Sequence, residues 1–147
     1  VKIFKLTALS LLLLVGSAAF AQEETLAKFF IYSLDGKKVK LKFPEVTFYS
    51  SKGNVHMAFI GIEKGKAQIN GKVTLFKSED IAETNTEYAY TEWIFEWVDI
   101  INEGTLDSKN VKVEILIIHK EDKDVFIMHL LDNITYEKIA SYQGFKY

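Results

Sequence analysis

From Lys28 onward, apolar side chains recur at every second position in short runs, and pairs of turn-forming residues separate the runs. A period of two is the strand period, because successive side chains of an extended chain point to opposite faces. Short runs joined by tight turns restrict such a chain to neighbouring antiparallel strands. Lys28–Leu34, Asp35-Gly36 and Lys37–Phe43 read as a two-residue hairpin, since both central positions of a type I′ turn need positive φ. Pairing Leu34 with Lys37 places Phe30, Tyr32, Val39 and Leu41 on one face and Lys38, Lys40 and Lys42 on the other. The expectation is a ribbon with its apolar face inward and its lysines outward.

Pro44 ends that run. Glu45–Tyr49 and Val55–Ile62 flank Ser50–Asn54 as a second hairpin, and Lys64-Gly65 marks a further turn. Ala67–Ile69 and Lys72–Lys77 flank Asn70-Gly71, which reads as another type I′ turn. Val111–Lys120 and Val125–Asp132 form the clearest ribbon, joined by a charged tip. Pairing Lys120 with Val125 sorts Val113, Ile115, Ile117, Phe126, Met128 and Leu130 to one face. Leu116, Ile118, Val125, Ile127 and Leu131 fall on the other, so both faces are expected to be covered. Ile134–Tyr147 reads as a final strand.

Thr84–Glu103 supports two readings. As a strand it points Thr91, Trp93, Phe95 and Trp97 one way and Glu92, Ile94, Glu96 and Val98 the other, in residue types that favour sheets. As a helix it has a stripe of Tyr90, Trp93, Ile94, Trp97, Val98 and Ile101, a capping box at Thr84–Glu87 and a stop at Gly104. Asp99 and Glu103 would oppose the dipole at that helix's C-terminus. The fold expected is all-β, a single antiparallel meander closing into a small sandwich or barrel. The alternative is α+β, with one helix over 86–102 packed on the sheet.

Ahead of these runs stand Lys2 and Lys5, an apolar stretch over Leu6–Gly16 and Ala19-Phe20-Ala21. This is the pattern of a cleavable bacterial export signal with a small-residue cleavage site, giving a signal over 1–21 and one domain over 22–147. The expected location is the periplasm or the extracellular space, with no membrane anchor after cleavage. The chain has no cysteine, which excludes disulfides, thiolate metal sites and cysteine nucleophiles. Its basic residues are all lysine and acids outnumber them, which argues against nucleic acid as a partner.

Charge is unevenly spread. Between Lys77 and Lys109 the chain carries Glu79, Asp80, Glu83, Glu87, Glu92, Glu96, Asp99, Glu103 and Asp107 and no basic residue. Such a stretch is either a solvated face or a surface for cations or a basic partner. It lacks the spacing of a calcium loop, so no metal and no cofactor is expected. Trp93, Phe95 and Trp97 share one face of the strand reading and are the candidate ligand-binding residues. Aromatic rings there would form a stacking platform for sugars or line an apolar groove, or else simply pack as core.

His119 and His129 fall on opposite faces of their ribbon and cannot share a metal, and His56 lies alone in its strand. No nucleophile elbow, metalloprotease or phosphate-loop motif occurs, so no catalytic residue is assigned. The function expected is a non-catalytic binding or interaction module of the cell envelope, its partner a protein or a small ligand. The alternative is a lipocalin-like carrier, in topology only, for a small apolar or glycan ligand. A hydrolase using His56 or paired carboxylates is a distant third.

Overall fold

The computed structural model describes residues 23–38, 45–60, 69–102, 105–107 and 110–146. The expected export signal, the expected turn at Lys64-Gly65 and the 39–43 half of the expected first ribbon lie outside the described residues. Among the described residues ten strands occur in chain order: β1 (Glu24–Leu34), β2 (Lys37–Lys38), β3 (Glu45–Ser51), β4 (Asn54–Ile60), β5 (Ile69–Ile81), β6 (Tyr90–Asn102), β7 (Thr105–Asp107), β8 (Val111–His119), β9 (Asp124–Asp132) and β10 (Lys138–Lys146). Eight of them pair with their chain neighbours, in the order β1-β3-β4-β5-β6-β8-β9-β10, and β10 pairs back onto β1. Every pairing is antiparallel, so the sheet is a meander closed into an eight-stranded barrel. β2 and β7 are short side pieces on β1 and β6. Among the described residues no helix is long and apolar enough to cross a membrane.

The barrel interior is a packed core. Phe29, Ile31, Val46, Met57, Val113, Phe126 and Met128 are completely buried, and Phe95 and Ile115 nearly so. Closure depends on one residue without a side chain. A Cβ on Gly144 would lie 1.7 Å from the Phe30 carbonyl oxygen and 2.6 Å from the Phe126 ring, so only glycine lets β10 approach β1 there. Outside this seam, Tyr32 packs on Phe145 at 5.0 Å and the Lys123 ammonium sits 4.1 Å over the same ring.

The structure corrects several expectations. The first ribbon is sorted the other way round: Phe29 and Ile31 are inside, while Phe30 and Tyr32 lie half-buried on the outer face. Both faces of β1 are apolar, so its own periodicity selects neither, and its main partners are β3 and β10 rather than β2. Asn70-Gly71 is not a turn but lies within β5. A Cβ on Gly71 would meet Trp97 Nε1 at 2.6 Å, so the glycine marks a close approach of strands. The ribbon of β8 and β9 keeps the expected faces, but its register is shifted by two residues, with Ile118 rather than Lys120 opposite Val125. Its outer face is half-buried rather than covered, because a single-layered barrel has only one interior.

The α+β alternative fails at Thr84. Its hydroxyl accepts the N–H groups of Thr86 and Glu87 (3.3 and 3.0 Å), as a helix cap would. The Thr84 N–H then donates to the Glu87 carbonyl, which closes a loop instead of starting a helix. β6 continues as a strand over Tyr90–Asn102, paired on both sides.

Candidate functional site

β5 and β6 are the longest strands, and their pairing with each other is interrupted twice. Irregularities fall between Asn70 and Lys72 and between Thr74 and Lys77 on β5. Leu75 has φ 54° and Asp99 φ 52°, the left-handed values that mark bulged strands. β4 follows β5 only as far as the His56–Lys72 pair. Beyond it, the β5–β6 hairpin stands away from β4 as an arm, and a gap opens at that end of the barrel.

The gap is an apolar pocket of about 340 Å³ lined by Leu26, Ala27, Phe48, Val55, Val73, Phe76 and Trp93. Leu26 is 51% exposed, Val55 37% and Phe76 49%, so an apolar rim faces solvent. The floor is an aromatic cluster in edge-to-face contact. Trp93 lies 5.9 Å from Phe29, 5.5 Å from Phe48 and 5.6 Å from Phe76. Edge-to-face rings hold one another in place, which gives a pre-formed wall rather than a collapsing one.

Of the three aromatics singled out from the sequence, only Trp93 reaches this pocket. Phe95 and Trp97 point inward with it but are 1% and 3% exposed, deeper in the barrel. The Trp97 indole N–H donates to the Met57 carbonyl at 3.1 Å, which satisfies its only polar atom within the core. The other lining residues escaped sequence reasoning. Leu26-Ala27 and Leu75-Phe76 break the alternation, and such breaks beside regular runs were the available signal.

The histidines lie elsewhere. His56 is on the outer face, stacked on Tyr49 at 5.0 Å and 11°. Desolvation by burial, then the Lys72 charge, lower its pKa, while Glu23 acts in the opposite direction. Burial likewise raises the Tyr49 pKa, against a hydrogen bond from the Asn70 side-chain amide to the phenol oxygen. His119 lies at the same end as the pocket. Its Nε2 is 2.8 Å from Thr91 Oγ1 and its Nδ1 3.1 Å from Asp124 Oδ1. The Thr91 hydroxyl donates to Asp80 Oδ1 at 2.7 Å, so its single proton is committed away from His119. The row Asp80–Thr91–His119–Asp124 thereby ties β5, β6, β8 and β9 together at the rim. His129 is on the outer face of β9, with Nδ1 buried and without a hydrogen-bond partner among the described residues.

Among the described residues, no group of three or more histidines and carboxylates is placed to hold a metal ion. The geometry is suited to holding something apolar. No family model matches the chain, and no curated protein or solved structure matches it either.

Proposed function

We propose that this domain is a carrier for a small apolar ligand, lipocalin-like in topology, which takes its ligand at the mouth between β4 and β5. The observation that supports this reading is the apolar pocket of about 340 Å³, with an aromatic floor and a solvent-facing rim. Its volume lies at the low end of the ~300–1,000 Å³ typical of small-molecule sites. Leaving Leu26, Val55 and Phe76 in water costs free energy that a bound apolar group recovers. A glycan is less suited, because among the described residues the lining offers sugar hydroxyls one polar side-chain group, the Trp93 indole N–H. The carrier would act after export through the envelope, as the residue 1–21 pattern suggests.

Titration with the apolar fluorophore N-phenyl-1-naphthylamine tests the reading. Saturable binding at one site is expected, with transfer from tryptophan to the probe. Val73→Trp fills the pocket and should abolish this binding at an unchanged melting temperature. Equal affinity in that variant would place the probe elsewhere and end the carrier reading.

A further inference from the structure

The arm that opens the pocket also has a free strand edge. β5 pairs with β6 out to Ile81–Tyr90, whereas its β4 side has no partner among the described residues beyond Lys72. Leu75 to Asp80 are exposed along this length. Unpaired N–H and C=O groups in a row are a template for one more strand. The edge is also acidic. Glu79 stands directly opposite Glu92 across the β5–β6 pair, and like charges in that position are destabilising. No lysine is within ion-pair distance of either among the described residues. A groove of about 480 Å³ lined by Lys77, Ser78, Glu79, Glu92 and Ile94 lies over the β5–β6 face that carries this pair.

We propose that Phe76–Ile81 is a strand-addition site for an extended segment of another protein in which lysines alternate with apolar residues. The main chain of the segment completes the β5 ladder, its lysines lie on the face of Glu79 and Glu92 and neutralise that pair, and its apolar side chains fall on the opposite face, beside Phe76. Charge selects the partner. A second copy of this chain adding through the same edge would bring Glu79 and Asp80 against their own kind, so the edge rejects itself and accepts a basic strand. Phe76 also lines the ligand pocket, so the added strand flanks the mouth, but its recognition rests on the β5 edge and the Glu79–Glu92 pair rather than on a bound ligand.

The probe is a terminally blocked hexapeptide of alternating lysine and valine, compared with its glutamate counterpart and with a version N-methylated at every residue, since methylation of alternate residues would leave one hydrogen-bonding edge intact. The lysine peptide should bind with an affinity that falls with added salt, and should slow amide exchange across Phe76–Ile81. Combined Glu79→Lys and Glu92→Lys should weaken it by about tenfold or more. The same double variant should leave N-phenyl-1-naphthylamine binding unchanged, since neither glutamate lines the pocket, which separates the two readings. The glutamate and N-methylated peptides should not bind. Equal binding of either of these two, or no binding of the lysine peptide to the unaltered protein, overturns the proposal without reliance on a variant that folds.

Discussion

The β8–β9 and β5–β6 hairpins are both antiparallel pairs in the barrel wall yet behave differently. β8 and β9 are nine residues each and pair without interruption from Val111–Asp132 to His119–Asp124. Their inward residues alternate strictly and are all buried from Val111 to Ile117. β5 and β6 are thirteen residues each, and two irregularities interrupt their pairing. Regular pairing holds every inward side chain at the same depth, which gives a sealed wall. Each bulge turns the chain and re-aims the residues beyond it, which separates β5 from β4 and leaves Phe76 and Val73 facing a gap. The closed wall stores stability, and the interrupted one provides access.

The largest effect should come from damage to the sealed side. Gly144→Val puts a branched side chain where a Cβ alone already collides with the Phe30 carbonyl. Loss of the β10–β1 seam should cost about 3 kcal/mol or more in urea unfolding, beyond the usual range for overpacking because backbone must move. Next is the contrast between the two tryptophans. Trp97→Ala empties a fully packed site and should cost about 3–5 kcal/mol. Trp93→Ala, at the half-exposed mouth, should cost about 1–2 kcal/mol, since less of its surface is withdrawn from water. Equal costs would erase the distinction between wall and mouth.

The smallest effect sharpens the same comparison at a bulge. Leu75 is 70% exposed and holds a left-handed backbone, so its side chain adds strain and little packing. Leu75→Gly should relieve this and raise stability by about 1 kcal/mol, read as a higher urea midpoint. A loss of stability instead would show that the bulge is held by the leucine side chain.

These contrasts also show where the sequence was legible. The faces of β8 and β9 were readable because Ile115, Ile117, Phe126 and Met128 keep strict alternation. The inward row of Trp93, Phe95 and Trp97 was readable for the same reason, and the choice of β10 as the last strand followed from its aromatics. The barrel seam was not readable, because no local pattern specifies that β10 returns to β1. Gly144 is the mark of that contact, but a glycine that permits close approach has the same letter as one that makes a turn. Asn70-Gly71 was misread for this reason. β1 was inverted because Phe29, Phe30, Ile31 and Tyr32 are apolar on both faces, and only the closed ring decides which face is inside. The pocket was hidden because it depends on where strand pairing stops.

The central claim is that the mouth between β4 and β5 holds an apolar guest while the rest of the interior stays filled. The chain contains only two tryptophans, so their indole N–H signals in a proton–nitrogen spectrum test it residue by residue. On titration with N-phenyl-1-naphthylamine, the Trp93 signal should shift and saturate, and the Trp97 signal, locked to the Met57 carbonyl, should stay in place. A Trp93 signal that does not respond while the probe binds, or a Trp97 signal that moves in its stead, would contradict the account.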